Sequence, residues 1–291
     1  MKRILCITGT RADFGKLKPL LAYIENHPDL ELHLIVTGMH MMKTYGRTYK
    51  EVTRENYQHT YLFSNQIQGE PMGAVLGNTI TFISRLSDEI EPDMVMIHGD
   101  RLEALAGAAV GALSSRLVCH IEGGELLMPQ YAAQYFKALE LSGQNIISIY
   151  PNNDTGTESI LQELLKYQSD KFIAFPSIRF EYFLVLLKHA KFMVGNSSAG
   201  IREAPLYGVP SIDVGTRQSN RHMGKSIIHT DYETKNIFDA IQQACSLGKF
   251  EADDTFNGGD TRTSTERFAE VINNPETWNV SAQKRFIDLN L

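Results

Sequence analysis

Residues 3–37 read RILCITGTRADFGKLKPLLAYIENHPDLELHLIVT. Residues 3–8 form a short apolar run that predicts a strand, and residues 32–37 form a second such run. Between them, residues 14–26 carry apolar side chains at the helical period, which predicts a helix. A strand, a helix and a second strand in this order are typical of parallel strands joined by a crossover helix. The stretch therefore predicts an α/β fold with a doubly wound sheet.

The same alternation continues to the end of the chain. It predicts further strands at 93–98, 117–122, 146–150, 172–175, 192–195, 211–214 and 227–229. It predicts further helices at 72–90, 101–115, 130–142, 157–166, 180–190, 200–207, 234–246 and 265–272. Because 291 residues exceed the size at which one hydrophobic core usually stops growing, two domains are expected. We predict two Rossmann-like, doubly wound domains facing each other across a cleft, residues 1–126 and 127–291, with a C-terminal helix that can return to the first domain.

Composition and charge exclude several classes of protein. The net charge is -6 and acidic and basic residues are interspersed, so we expect no broad basic face that could bind nucleic acid. No apolar stretch approaches the ~18 residues of a membrane-spanning helix. The residues after Met1 lack the apolar core of a signal peptide, so a cytoplasmic protein without a membrane partner is expected. Cys6, Cys119 and Cys245 lack the spacing of a metal site, which predicts reduced cysteines and no metal.

Polar residues follow the predicted strands of the first half, where ligands of open α/β sheets bind. Arg11 lies in the turn after the first strand and could pair with a phosphate, although an ordinary strand-to-helix turn explains it equally well. Asp100 and Arg101 follow a later strand, and the alternative reading is that Asp100 caps the next helix. Glu122 ends the last strand of this half beside two glycines, where it suits an acid or base or simply faces solvent.

The strongest local signal lies in the second half, where residues 195–203 read GNSSAGIRE after a predicted strand. Ser197 and Ser198 precede a predicted helix and suit a diphosphate, because unsatisfied backbone N–H groups and the helix dipole both attract anions. Glu203, one turn further, could accept hydrogen bonds from ribose hydroxyls. A plain serine cap is the alternative.

Two other strand ends of the second half carry polar residues. Arg217 follows the strand at 211–214 and offers a cationic donor at the same sheet edge, although surface arginines are usually solvated. Asn152 lies in a polar turn after the strand at 146–150, where turn formation alone is a sufficient explanation.

Taken together, these residues resemble a known family. The motifs that carry the resemblance are, in chain order, Gly9-Thr10-Arg11-Ala12-Asp13-Phe14, His98-Gly99-Asp100-Arg101, His120-Ile121-Glu122-Gly123-Gly124-Glu125, Tyr150-Pro151-Asn152, residues 195–203 and Gly215-Thr216-Arg217-Gln218. The ordered set covers nearly the whole chain and is similar to the hydrolysing UDP-N-acetylglucosamine 2-epimerases of bacterial sialic acid (capsule) biosynthesis. Each motif alone is weak, whereas the set is specific.

The resemblance implies the GT-B architecture, with UDP bound mainly by the C-terminal half. It implies substrate-binding residues Arg11, Arg101, Asn152, Ser197, Ser198, Glu203 and Arg217, and catalytic carboxylates at Asp100 and Glu122. In this assignment the two serines and Glu203 hold the diphosphate and ribose, and Arg217 reaches the phosphates.

The resemblance also implies the chemistry. The family removes UDP from UDP-N-acetylglucosamine by anti elimination, which gives 2-acetamidoglucal, and then adds water to give N-acetylmannosamine. Carboxylates stabilise charge and move protons, and no cofactor is required. The expected ligands are therefore UDP-N-acetylglucosamine and UDP, and a homodimer or homotetramer is expected.

Four other functions stay open from the sequence. The nearest is a hydrolysing epimerase of a UDP-diacetamido-trideoxy sugar. A non-hydrolysing epimerase fits less well, because Arg11 to Asp13 and Glu122 to Glu125 look more like the hydrolysing branch. A nucleotide-sugar-binding protein without turnover and a GT-B glycosyltransferase complete the alternatives.

The junction near residues 126–128 departs from the family pattern. The resemblance implies roughly 80–90 further residues there, which hold the end of the first sheet, the first strand of the second sheet, and further catalytic acid and His positions. Either the molecule contains a segment that this sequence omits, or the chain was deleted there and lost part of its site. We favour the first account, because a deletion would remove central strands and expose their apolar neighbours.

Overall fold

The computed structural model describes residues 1–121, 131–151, 157–218, 221, 224–255 and 260–280. The chain divides into two compact units. Unit 1 comprises Met1–Gly124 together with Arg262–Leu291, and unit 2 comprises Glu125–Thr261. No helix in the described ranges is both long and apolar enough to cross a membrane.

The N-terminal part of unit 1 alternates strands and helices. Its elements are β1 (Lys2–Thr8), α1 (Arg11–Glu25), β2 (Leu30–Val36), α2 (Tyr49–Thr53), β3 (His59–Leu62), α3 (Met72–Ile90), β4 (Met94–His98), α4 (Leu102–Leu113) and β5 (Leu117–Ile121). The five strands form one parallel sheet in the order β3-β2-β1-β4-β5. This is the 3-2-1-4-5 part of the doubly wound strand order.

The core of unit 1 lies on both faces of this sheet. Strand β1 is central, so its side chains from Ile4 to Thr8 are all buried, with helices packed on each side. Cys6 belongs to this run, and burial raises the pKa of its thiol, as suits a structural cysteine.

Unit 2 repeats the alternation. Its elements are α5 (Ala132–Leu141), β6 (Ile146–Ile149), α6 (Thr157–Lys166), β7 (Phe172–Phe175), α7 (Phe180–His189), β8 (Met193–Gly195), α8 (Glu203–Leu206), β9 (Ser211–Val214), β10 (Ile227–Thr230) and α9 (Thr234–Leu247). Its strands form two separate parallel sheets, β6-β7 and β8-β9-β10. Phe136, Phe172, Ile212 and Ile237 belong to one buried cluster that contacts both sheets. The predicted α/β class is confirmed, because every pairing between these strands is parallel.

The C-terminal helices α10 (Ser264–Asn273) and α11 (Pro275–Trp278) belong to unit 1. Ile272 of α10 is buried in the core beside α1, and the Asn273 side chain donates to the Tyr23 hydroxyl over 2.9 Å. Thr263 and Glu266 form a capping box at the start of α10.

One predicted helix is wrong in its extent. The sequence predicted a helix over 200–207, but Ser198–Gly200 form a single tight turn and α8 spans four residues. Pro205 lacks a backbone N–H and fits only the first turn of a helix, so it forces α8 to begin just before it. Residues 59–62 and 49–53, which form β3 and α2, were also missed.

Candidate functional site

Polar side chains gather after β1 and β4, at one edge of the unit 1 sheet. Thr10 caps α1, and its hydroxyl accepts from the Asp13 backbone N–H over 3.1 Å. The Asp13 carboxylate lies 3.3 Å from Nδ1 of His98, the last residue of β4. Burial acts to raise the pKa of Asp13, but His98, Arg101 and Thr10 together hold it below its usual value. Asp13 is therefore a partly buried anion that links the start of α1 to the end of β4.

Arg101 is held by Glu103 just beside this pair. Its Nε and Nη2 donate to the two carboxylate oxygens of Glu103 over 3.1 and 3.2 Å, and both side chains are 4% exposed. The Glu103 carboxylate packs against the backbone of Gly9 and Gly38. The predicted ligand-binding Arg101 is thus engaged by a carboxylate that the sequence reading did not single out.

Asp100 is exposed in the turn after β4, and hydrogen bonds of the neighbouring Gly99 hold this turn in place. The Gly99 N–H donates to the Ile121 carbonyl over 2.8 Å, and Nε2 of His120 lies 2.6 Å from the Gly99 carbonyl oxygen. The residue that caps α4 is Arg101, without a side-chain hydrogen bond, so the alternative in which Asp100 caps this helix is wrong. The Asp100 carboxylate is free of a capping role and stands on an anchored turn.

Arg11 was predicted in a turn, but it is the first residue of α1, which begins three residues before the predicted start at Phe14. Its Nη2 lies 2.7 Å from a Glu51 oxygen of α2, and both side chains are partly exposed. A diphosphate that replaces Glu51 would find this guanidinium already oriented.

His40 lies in the same region and was missed by the sequence reading. It is fully buried, with Nδ1 2.7 Å from the Thr48 hydroxyl and Nε2 3.1 Å from the Thr8 hydroxyl. Burial lowers its pKa to about 4, so it is neutral at pH 7. No motif or spacing in the sequence marks it, because both hydroxyl partners lie on other segments.

The serine-rich loop of unit 2 follows β8. Ser197 caps the turn at Ser198–Gly200, and its hydroxyl accepts from the Ala199 N–H over 3.3 Å. Glu203 is the first residue of α8 rather than one turn into a helix. The dipole of so short a helix is small, so an anion here depends on local backbone N–H groups more than the sequence suggested.

The turn after β9 adjoins this loop. The buried Gln218 donates from Nε2 to the Asn196 carbonyl over 2.9 Å, which ties the Arg217 segment to the serine-rich loop. Arg217 is half-buried. The structure therefore brings the loop that carries Ser197 and Ser198 next to the segment that carries Arg217.

Glu122 and Asn152 lie outside the described residues. Within the described ranges, no three His, Cys, Asp or Glu side chains are grouped so that they could hold a metal ion.

Comparison with known proteins identifies the family. The family model described as UDP-N-acetylglucosamine 2-epimerase matches residues 22–131 and 127–273. The two matched stretches meet at residues 127–131, so the continuity of the family pattern breaks at the junction between β5 and α5.

The chain is also similar to three curated proteins. It is 77% identical over 377 positions to a Neisseria meningitidis serogroup B protein named UDP-N-acetylglucosamine 2-epimerase, and the alignment covers 100% of both chains. It is 24% identical to the Escherichia coli polysialic acid biosynthesis protein P7, over 83% of this chain and 85% of the relative. It is 22% identical to a Legionella pneumophila UDP-N,N'-diacetylbacillosamine 2-epimerase (hydrolyzing), over 94% and 96%.

The Neisseria alignment also gives the size of the difference between the two proteins. Its 377 positions exceed the 291 residues of this chain by 86, so 86 positions of the relative face no residue here. Since 77% of 377 is about 290, nearly every residue of this chain is matched by an identical one. The two sequences therefore differ almost entirely by 86 positions that the relative has and this chain lacks.

Solved structures agree on the fold. A crystal structure of UDP-GlcNAc 2-epimerase from Neisseria meningitidis bound to UDP-GlcNAc superposes with a TM-score of 0.68 at 11% identity, covering 93% of this chain and 99% of that one. At that identity the likeness concerns the fold alone. The family match and the Neisseria relative show more: this chain belongs to the UDP-N-acetylglucosamine 2-epimerase family.

Proposed function

We propose that the chain is a hydrolysing UDP-N-acetylglucosamine 2-epimerase, which converts UDP-N-acetylglucosamine and water to N-acetylmannosamine and UDP for sialic acid biosynthesis. The observation that carries the proposal is the match of nearly every residue to the Neisseria meningitidis relative named UDP-N-acetylglucosamine 2-epimerase. The hydrolysing branch is supported by the Legionella relative, whose name includes that reaction, and the sialic acid role by the name of the Escherichia coli relative.

The proposed reaction has two steps. In the first, the bond from C1 to the UDP oxygen breaks, a carboxylate takes the proton from C2, and a C1=C2 double bond forms. The C2 proton is not acidified by a carbonyl, so cleavage at C1 with oxocarbenium character leads. In the second, water adds its oxygen to C1 and a proton returns to the opposite face of C2.

Asp100 and Glu122 are assigned to these proton transfers and to stabilising the cationic transition state. The exposure of the Asp100 carboxylate, and its turn held by Gly99 and His120, support this assignment, because a catalytic group must be accessible and fixed. Glu122 follows β5 directly, one residue after Ile121, whose carbonyl accepts from Gly99.

The binding of UDP is assigned to Ser197, Ser198, Glu203 and Arg217, with Asn152. The hydrogen bond from Gln218 to Asn196 supports a common role for the loops of Ser197 and Arg217. Arg11 and Arg101 are assigned to the nucleotide-sugar, where an incoming diphosphate must compete with Glu51 and Glu103. That exchange is easier for Arg11, which is partly exposed, than for the buried Arg101.

Two other functions are favoured by specific observations. The Legionella relative acts, by its name, on a diacetamido sugar, so the sugar could be of that kind. The 86 positions without a counterpart favour binding of a nucleotide-sugar without turnover, because groups of the sugar site lie in that segment by resemblance.

Variants of Glu122 and Ser198 test the proposal. We expect Glu122→Gln to abolish the release of UDP from UDP-N-acetylglucosamine, which chromatography measures. The affinity of this variant for UDP, measured by calorimetry, should stay nearly unchanged. We expect Ser198→Ala to weaken UDP binding. Activity of Glu122→Gln equal to that of the parent would remove Glu122 from the mechanism, and release of UDP-N-acetylmannosamine would mean a non-hydrolysing enzyme.

A further inference from the structure

The Glu103 carboxylate lies where loops from three strand ends meet. Glu103 itself follows β4, in the first turn of α4. A Cβ on Gly9, in the turn after β1, would lie 3.1 Å from one of its carboxylate oxygens. A Cβ on Gly38, in the loop after β2, would collide with the other oxygen. The two glycines therefore leave the space that the carboxylate fills.

The loops after β1 and β2 are also tied to each other. The Thr37 N–H donates to the Thr8 carbonyl over 3.0 Å, and the His40 N–H donates to the Gly9 carbonyl over 3.3 Å. A Cβ on Gly38 would lie 2.8 Å from the same Gly9 carbonyl oxygen. Contacts this close fix the distance between the two loops, so the walls around the carboxylate have little freedom to move.

Asn65 joins the loop after β3 to this assembly. Its Oδ1 accepts from the Gly38 N–H over 3.1 Å, and its Nδ2 donates to the Thr79 hydroxyl of α3 over 2.9 Å. Asn65 is buried, with both ends of its amide bonded. Since β3 was missed from the sequence, this residue was missed with it. Asn65 therefore holds Gly38 in place from the side of α3.

Glu103 in turn fixes the Arg101 guanidinium. Its two carboxylate oxygens accept from Nε and Nη2 of Arg101 over 3.1 and 3.2 Å. These two nitrogens lie on one edge of the planar guanidinium, so the two bonds set both its position and its plane. Nη1 lies on the other edge, where an anion meets a guanidinium that is already oriented. Arg101 also directly follows Asp100 in the chain, so the same pair fixes one side of the Asp100 turn.

Stability alone is a weak reason for a buried pair at this place. Both charges lose their hydration, so replacing a buried ion pair by apolar residues of the same size is often neutral or stabilising. The pair also lies at the carboxyl ends of β1, β2 and β4, where open α/β sheets bind their ligands. A role in orienting a ligand-binding group accounts for both the chemistry and the place.

We propose that Glu103 is a positioning residue of the reaction. It holds the Arg101 guanidinium toward the nucleotide-sugar, and it is itself seated by Gly9, Gly38 and Asn65. The inference rests on the proposed function, which assigns Arg101 to the nucleotide-sugar. Glu103 acts through Arg101 and does not touch the reacting atoms.

Two glycine variants test the seat of Glu103 without removing a charge. Gly38→Ala places a Cβ against the carboxylate at φ +61, whereas Gly46→Ala places one in open space at φ +85. Both carry the backbone cost of a left-handed alanine, so Gly46→Ala is the matched control. We expect the Arg101 Nε proton, assigned in ¹⁵N NMR spectra with Arg101→Lys, to exchange with solvent at least about tenfold faster in Gly38→Ala. The parent and Gly46→Ala should exchange alike.

Calorimetry with UDP-N-acetylglucosamine tests what this position is for. We expect Gly38→Ala and Glu103→Gln, which keeps the size of the side chain and loses one acceptor, to raise the Kd about tenfold or more. Gly46→Ala should leave the Kd unaltered. The titrations are made where the Trp278 fluorescence of every variant is that of the folded protein. Under that condition a mere loss of stability leaves the Kd unchanged, because the binding-competent fraction stays close to one.

Each outcome bears on a stated claim. Slow exchange of the Arg101 Nε proton in Gly38→Ala would overturn the positioning role, as would an unchanged Kd in Gly38→Ala and Glu103→Gln, or an equal rise in Gly46→Ala. Weaker binding by the first two variants, with a parent that binds the nucleotide-sugar and releases no UDP, would support the role of Glu103 and contradict the proposed function. A parent that does not bind the nucleotide-sugar would overturn both.

Discussion

The charged side chains at the sheet edge of unit 1 are held by one another. Asp13 lies against His98, Arg101 is bonded at two points to Glu103, and Arg11 reaches Glu51. Position after a strand was enough to predict Arg11, Asp100 and Arg101 as members of this edge. It was not enough to predict Glu103, because a glutamate in the first turn of a helix is ordinarily read as exposed.

Removing Arg101 tests the buried pair. Arg101→Ala leaves Glu103 as a buried, uncompensated charge, so we expect a loss of about 3–5 kcal/mol in the free energy of unfolding. Trp278, the only tryptophan, packs on the unit 1 core, and its fluorescence in urea reports the change. Arg262→Ala removes the partner of Glu270 in an exposed pair and should cost at most about 1 kcal/mol. Equal losses of unfolding free energy in the two variants would show that the buried Arg101–Glu103 pair contributes no more to stability than an exposed pair.

His40 should make unit 1 sensitive to acid. Its pKa is lowered to about 4 in the folded state, against about 6.5 in the unfolded chain, so the unfolded state binds more protons between these values. Stability is therefore fully present above about pH 6.5 and falls as the pH drops toward 4, by roughly 3 kcal/mol.

Urea midpoints from pH 7 to pH 4.5, followed by Trp278 fluorescence, measure this slope. His40→Gln should flatten it, whereas His189→Gln, at an exposed site in unit 2, should leave it unchanged. The same slope in His40→Gln and the parent would rule out His40 as the source.

Helices and strands with a strong period were predicted well from the sequence. Residues 72–90 and 157–166 form α3 and α6 as predicted, because their apolar side chains repeat at the helical spacing over many residues. The failures were short elements: α8 is limited by Pro205, and β3 has partly exposed residues without a clear alternation. The candidate site lies at the ends of these elements and in the loops between them. Its residues could therefore be predicted from their positions after strands, whereas their hydrogen-bond partners could not.

The turn between β9 and Arg217 tolerates only glycine at position 215. Gly215 has φ +88, and a Cβ there would collide with the Tyr232 ring, which is stacked on Tyr131. Gly143 has φ +64 but open space around it. We expect Gly143→Ala to cost about 1 kcal/mol for the backbone alone, and Gly215→Ala a further 1–3 kcal/mol or so for the collision.

Two measurements compare the Gly215→Ala and Gly143→Ala variants. They are thermal unfolding, monitored by circular dichroism, and titration with UDP. Gly215→Ala should lower both the melting temperature and UDP affinity, because the turn carries Arg217. If UDP affinity falls equally in both variants, the turn has no particular link to binding.

At the scale of the whole molecule, the described strands form one sheet of five strands in unit 1 and two separate sheets, β6-β7 and β8-β9-β10, in unit 2. The alternation of strand and helix patterns predicted the α/β class and an irregular junction near residues 126–128. The length of the segment absent there followed only from the resemblance. Ile147, Ile149, Ile173 and Phe175 are 52%, 39%, 48% and 40% exposed, and this is the exposure of apolar neighbours because of which we favour a segment that the sequence omits over a true deletion.

Proton NMR of UDP-N-acetylglucosamine in D₂O, recorded with the purified chain, tests whether the proposed site carries out hydrolysing epimerisation. We expect UDP and N-acetylmannosamine with deuterium at C2, because the proton lost in the elimination is replaced from solvent. N-acetylmannosamine that keeps its C2 proton, UDP-N-acetylmannosamine as the product, or bound UDP without turnover would rule out this mechanism.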